Sequence, residues 1–165
     1  MLHPSAGCPA AVLETLAMAA DRLKAAQDPW WVIGGVAIGL HGAPDADIPD
    51  VDVVLSVNDA RQVLAGLGIP PGQDGGTDRF RSEVFGRWTS PPLAVDFMGG
   101  FRVRAQDGWR PVAPLTREAV SVAGRTVHVP SRRELIGICR LFGRPKDLAR
   151  AEALERLEPQ GLSGT

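Results

Sequence analysis

Residues 50–57 read Asp-Val-Asp-Val-Val-Leu-Ser-Val, and this stretch constrains the fold more than any other. β-Branched side chains suit the pleated, half-buried surface of a strand, so a strand buried on at least one face is expected over residues 51–57. Two carboxylates stand at its start. Side chains two residues apart on a strand share a face, which sets Asp50 and Asp52 side by side. Adjacent carboxylates against apolar surface repel each other and are costly to desolvate. A divalent cation relieves both effects, and magnesium favours carboxylates combined with phosphate oxygens. The alternative is a solvated strand end whose aspartates face water.

The flanking sequence alternates helical and strand patterns. Val12, Leu13, Leu16, Ala20 and Leu23 recur at helical spacing, which predicts an amphipathic helix over residues 9–26, stopped by Gln27-Asp28-Pro29. Trp30 to Ile33 form a bulky apolar run, expected to be a buried strand that ends in a tight turn at Gly34-Gly35. A short helix follows over residues 36–40, then a loop over 43–49. Asn58 is placed to cap a helix over residues 60–67. After a loop at 70–78, residues 80–88 read as a strand or hairpin arm. Residues 93–98 read as a third buried strand with a single charge, Asp96. Asp107-Gly108 and Ala123-Gly124 mark hairpin turns on the margin of the sheet. Ser131 and Glu134 form a capping box for a helix ending at Gly143, and Pro145 opens another through Leu157.

This order predicts an α/β (α+β) fold: a mixed sheet flanked by helices, with a C-terminal helical pair. The expected parts are an N-terminal helix packed on the core (1–29), the core (30–130), the helical pair (131–158) and a frayed tail (159–165).

Composition narrows the partners. The chain of 165 residues carries a formal net charge of -1, so it lacks the broad basic field of a duplex-binding protein. Nucleic-acid contact is expected to be local, and a small anionic ligand with metal ions fits at least as well. Cys8 and Cys139 form no Cys-x-x-Cys pair, so no zinc site is expected and reduced thiols are. No apolar run reaches the length of a membrane span, and residues 1–20, with Glu14 in their most apolar part, read as a folded helix rather than a signal peptide. A cytoplasmic protein is the expectation. No Walker A loop, Ser-His-Asp order or Rossmann fingerprint is present.

Two further features join the aspartate pair. Glycines between a strand and a helix let backbone approach a ligand, and a helix start holds phosphate; Gly34 and Gly35 stand at such a place, though a plain turn explains them equally. Asp96 is flanked by Ala94, Val95, Phe97 and Met98 and is costly to bury alone. If its strand neighbours that of Asp50 and Asp52, three carboxylates converge, and such a triad can hold two metal ions about 3.5–4 Å apart. Arg79, Arg81 and Arg87 with Ser82 are candidates to reach a nucleotide from a neighbouring strand, against the blander reading of a solvated sheet face. His41 reads as a core or helix-end histidine, and Trp88 and Trp109 as buried rings more than stacking platforms.

These residues together resemble the nucleotidyltransferase superfamily, whose hallmark is a Gly-Gly or Gly-Ser turn, an Asp-x-Asp strand start and a third acidic residue on a later strand. Here they read Val32-Ile-Gly-Gly-Val-Ala-Ile-Gly-Leu-His-Gly42, Pro49-Asp-Val-Asp-Val-Val-Leu55 and Leu93-Ala-Val-Asp-Phe-Met98. The Gly-Gly-x-Ala…Leu-His-Gly form looks like the small bacterial branch that includes AbiEii-type toxins and antibiotic nucleotidyltransferases. Leu141-Phe-Gly-Arg-Pro-Lys-Asp-Leu148 looks like that branch too, with its Lys-Asp pair opening a late helix. The resemblance runs over about residues 30–150. It implies transfer of a nucleoside monophosphate from an NTP, such as ATP, with Mg2+ or Mn2+. Asp50, Asp52 and Asp96 would be metal ligands, Asp96 also the base for the incoming hydroxyl. Gly34 and Gly35 would hold phosphates, and Lys146 would neutralise the triphosphate. The acceptor is left open among a small molecule, a tRNA end and a protein side chain. Relatives in this branch often carry an arginine and a threonine before the Asp-x-Asp; here that loop holds Asp45 and Asp47, which would repel a triphosphate they faced. The alternative is a catalytically degenerate domain that binds a nucleotide or partner, for example half of a toxin–antitoxin pair.

Overall fold

The computed structural model describes residues 1–4, 8–43, 48–72 and 76–157. The acidic loop residues Asp45 and Asp47 and the expected frayed tail, 159–165, lie outside the described residues. The elements in chain order are α1 (Ala10–Arg22), β1 (Trp31–Ile33), α2 (Gly34–Leu40), β2 (Asp50–Leu55), α3 (Val57–Leu67), β3 (Phe80–Arg81), β4 (Val84–Trp88), β5 (Ala94–Gly99), β6 (Arg102–Ala105), β7 (Gly108–Pro111), β8 (Glu118–Val122), β9 (Arg125–Val129), α4 (Arg132–Phe142) and α5 (Pro145–Glu155).

The valine strand β2 lies inside a mixed sheet of order β1-β2-β5-β4. It pairs antiparallel with β1 and parallel with β5, and β4 closes the far edge antiparallel. The two-residue period of a strand then sorts the side chains. Val51, Val53 and Leu55 of β2, Val95 and Phe97 of β5 and Trp88 of β4 enter the larger apolar core with Val12 and Leu16 of α1 and Leu64 of α3. The other face carries Ile33, Val54 and Met98, which join Phe101, Val103 and Phe142 in a smaller core. Asp50, Asp52 and Asp96 fall in the alternate positions on that second face.

Two glycines let α3 lie close on the sheet. A Cβ at Gly99 would stand 2.7 Å from the Ala60 Cβ and 3.2 Å from the Val57 Cα, and one at Gly86 would stand 2.3 Å from the Leu64 Cδ2. Asp59 of α3 is buried, and its carboxylate accepts from Gln27 N (3.0 Å) and Asp28 N (2.9 Å), which ties the turn after α1 to α3.

Boundaries differ from the sequence reading in three places. Ser56, not Asn58, caps α3: its hydroxyl accepts from Asp59 N, so β2 stops at Leu55 and the helix begins at Val57. Gly34 and Gly35 form the first turn of α2 instead of a separate turn before it. Residues 80–88 split between two sheets, because β3 pairs with β6 while β4 pairs with β5. The marginal hairpins do form, β6–β7 in a three-stranded sheet with β3 and β8–β9 as a pair. Ser131 caps α4 as expected, but Glu134 turns outward to accept from Leu115 N and Thr116 N, so half of the capping box is spent on holding the preceding segment.

Gly99→Ala overpacks the contact between α3 and β5. It is expected to lower unfolding free energy by about 1–3 kcal/mol, read by urea denaturation; an unchanged midpoint would show that α3 shifts freely.

Candidate active site

The parallel register of β2 and β5 sets Asp52 directly opposite Asp96, with Asp50 one step along the same face. Each aspartate offers one oxygen, and these three oxygens all lie within 4.8 Å of one another. Antiparallel pairing adds Ile33 opposite Asp52 and Arg87 opposite Asp96. One row across the sheet thus reads Ile33, Asp52, Asp96, Arg87. Arg87 supplies a positive charge at its end, 3.5 Å from Asp50 Oδ2 and 3.5 Å from Asp96 Oδ2.

Gly34 closes the other end of the row. Its φ is +75°, in the region that favours glycine, and a Cβ there would come 2.9 Å from Asp52 Oδ2. Any side chain would be strained and pressed against the carboxylate. Gly34 is thus required by the aspartate beside it as well as by the turn.

The row opens into a cavity of about 310 Å3, whose wall includes Gly34, Gly35, Asp50, Asp52, Asp96, Phe80, Phe142 and Cys139. Arg144, Lys146 and Arg150 line the same cavity from the start of α5. Asp147, fully buried, organises this end: it accepts from Arg144 N at 3.2 Å and pairs with Arg144 Nε at 2.6 Å and Arg150 Nη1 at 3.8 Å. Arg144 then lies over the Phe80 ring, 4.8 Å from its centroid. The sequence reading singled out Lys146, which is exposed here, and gave no role to Arg144 or Arg150. Their signal was the i, i+3, i+6 spacing about Asp147, which puts all three on one stripe of a helix.

Burial first, then the Asp50 and Asp96 carboxylates, push the Asp52 carboxyl up to about 7, with Arg150 and Arg144 opposing. Three carboxylates this close, all hard oxygen donors, fit a divalent cation such as Mg2+ or Mn2+. Cys139 has its thiol pushed up to about 11 by burial and by Asp147.

The remaining candidates separate. Arg79 donates to the Phe142 carbonyl at 2.5 Å, and Arg81 stacks over Trp109; neither lines the cavity. Ser82 is buried and Trp88 is core. His41 is buried, with Nε2 2.8 Å from the Pro130 carbonyl, and so serves the core.

No family model matches the chain, and no curated protein matches it. Solved structures do. An assigned nucleotidyltransferase from Thermotoga maritima is 24% identical over 87% of this chain and 89% of its own, with a TM-score of 0.65. The lincosamide antibiotic adenylyltransferase LnuA, solved with lincomycin, is 12% identical over 87% and 96%, with a TM-score of 0.55. ANT(2'')-Ia, solved with adenylyl-2''-tobramycin, is 15% identical over 87% and 86%, with a TM-score of 0.51. The fold is therefore that of the nucleotidyltransferases, and the solved structures it resembles include an antibiotic adenylyltransferase. Among the described residues no helix is long and apolar enough to cross a membrane.

A raised carboxyl has a defined effect on stability. The folded state holds the Asp52 proton more tightly than its ordinary value of 3.8 allows in the unfolded chain. The stability this group contributes is present below about pH 4 and lost as pH rises toward about 7. In EDTA the melting temperature of the native protein, relative to that of Asp52→Asn, is expected to fall across that window. A pH-independent difference between the two proteins would contradict the shift.

Proposed function

We propose that the protein transfers a nucleoside monophosphate from an NTP to an acceptor hydroxyl and releases pyrophosphate. The observation that carries this reading is the row of Asp50, Asp52 and Asp96, three oxygens within 4.8 Å in the wall of a cavity that Arg144, Lys146 and Arg150 also line. Asp50, Asp52 and Asp96 would hold divalent metal, Mg2+ or Mn2+. When bound, such ions polarise the phosphate and stabilise charge on the attacking and leaving oxygens.

The chain's own residues do the rest. Gly34 and Gly35 receive the phosphates at the start of α2, where no side chain intervenes. Lys146, with Arg144 and Arg150 beside it, balances the charge that gathers on the departing pyrophosphate. The acceptor oxygen bonds to the α-phosphorus while the bond from that phosphorus to the β-bridging oxygen breaks. The acceptor proton passes to Asp96. ATP is the first nucleotide to test, since LnuA is an adenylyltransferase and ANT(2'')-Ia was solved with an adenylylated antibiotic. Because those neighbours were solved with lincomycin and with adenylyl-2''-tobramycin, small hydroxyl compounds are the first acceptors to test, followed by tRNA ends and protein side chains. The free thiols Cys8 and Cys139 suit a reducing compartment such as the cytoplasm.

The test is pyrophosphate release across NTPs and acceptors with Mg2+ or Mn2+. Turnover is expected to drop at least about 100-fold in both Asp50→Asn and Asp52→Asn, with the fold retained by circular dichroism. Metal-dependent nucleotide binding without turnover on any acceptor would favour the binding-module reading, in which the domain serves as a partner of another protein. Absence of metal-dependent NTP binding would overturn the transferase assignment.

Arg87 gives a second measurement. Its guanidinium is paired with two of the three carboxylates that would hold the cation, so it would compete with the metal for them. Arg87→Ala is expected to tighten Mn2+ binding severalfold by calorimetry and to lower stability in EDTA. Weaker Mn2+ binding would mean that Arg87 supports the site instead.

A further inference from the structure

The small sheet β3–β6–β7 has two unlike faces. Phe80 and Val103 are cross-strand partners on its inner face; Val103 is fully buried and Phe80 walls the cavity. The outer face follows from the same register. Arg81 stands opposite Arg102, and Arg104 stands opposite Trp109. Arg102 and Arg104 are two apart on β6 and share that face. Arg81, Arg102 and Arg104 are all exposed, and Trp109 is half-buried beneath Arg81, whose guanidinium lies 3.7 Å from the ring centroid.

Like charges placed directly opposite on a sheet are destabilising. Nearby carboxylates do not relieve them. Asp107 pairs with Arg110 at 3.7 Å, and Glu83 lies against Gly100. Among the described residues Arg81, Arg102 and Arg104 form no ion pair with a carboxylate. Arg104 also borders a shallow groove of mixed charge, lined by Asp78, Arg79, Asp107, Arg110 and Arg140, in which Arg110 pairs with Asp107 and Arg140 with Glu155; the unpaired charge is that of Arg81, Arg102 and Arg104. In a chain of net charge -1, this is a local concentration of positive charge that folding alone does not call for.

We propose that the outer face of β3, β6 and β7 binds single-stranded nucleic acid. The arginine forks take successive phosphates, and the Arg81–Trp109 stack offers a flat platform for a base. A patch this narrow does not span a duplex, whose recognition draws on a broader field. Among the described residues the exposed large apolar side chains are Met1, Leu115 and Leu148, none of them on these strands, so these strands offer no exposed apolar side chain for insertion into a lipid surface or for an apolar protein contact. The binding stands apart from nucleotidyl transfer and needs neither NTP nor metal.

The experiment is fluorescence anisotropy of a labelled oligouridylate of about 12 nucleotides, within the span of a single-strand site, with the full chain in EDTA. Three phosphate contacts predict a slope of log K against log salt of about -2. Arg102→Ala with Arg104→Ala is expected to weaken binding at least about tenfold and flatten the slope to about -0.7, one contact remaining. Trp109→Leu is expected to weaken binding about fivefold or more with the slope kept. Thermal melting of the arginine variant should hold or rise, since like-charge repulsion is removed, and Arg102→Lys with Arg104→Lys should retain the slope. Failure to bind at low salt, or a slope untouched by the double alanine change, overturns the proposal. So does stronger binding to polyglutamate or to phosphatidylglycerol vesicles than to the oligonucleotide. None of these results bears on the aspartate row, which is read by pyrophosphate release.

Discussion

The parallel pairing of β2 with β5 is the constraint on which the molecule depends. It sets Asp52 against Asp96 with Asp50 alongside, three like charges on one sheet face. Such a row is unfavourable by itself. The sheet tolerates it because the opposite face of the same strands is buried throughout, with Val51, Val53, Val95 and Phe97 wholly excluded from solvent. Apolar burial on one face anchors the strands in register, and the register then holds the carboxylates together. Arg87, on β4 at the opposite edge of the sheet from β1 and its glycine turn, offsets part of the charge from the end of the row.

Glycine does a second job around this row. At Gly34 the missing Cβ leaves room for the Asp52 carboxylate, and at Gly86 and Gly99 it leaves room for α3 to press on the back of the sheet. One set keeps the cavity side open and the other keeps the far side tight. Both are needed for a strand that is polar on one face and close-packed on the other.

The aspartate row could be read from the chain because it depends on short-range rules. Alternation along a strand makes Asp50 and Asp52 neighbours, and a lone aspartate among Val95, Phe97 and Met98 signals a place where charge is wanted. What could not be read was strand order. Nothing local says that β5 lies beside β2, since that parallel pairing crosses α3 and a long stretch of chain; Arg87 then reaches the row through the short connection between β4 and β5, whose register only the folded sheet fixes. Arg144 and Arg150 were missed for a similar reason: their position depends on how Asp147, buried under α5, fixes the helix against the cavity. The cap of α3 was misplaced by two residues because Ser56 and Asn58 are both good caps, and only the end of β2 at Leu55 decides between them.

Cys139 carries a practical consequence. It stands on the cavity wall, yet its thiol is pushed up to about 11, so near neutral pH almost none of it is the reactive thiolate. Cys8 is also raised by burial. With Cys8, which is partly exposed, replaced by serine, electrophilic reagents that label cysteine will therefore report on opening of the fold around α4, not on the chemistry of the site. That makes alkylation kinetics a gauge of local unfolding, one that needs no engineered label and leaves the aspartates untouched.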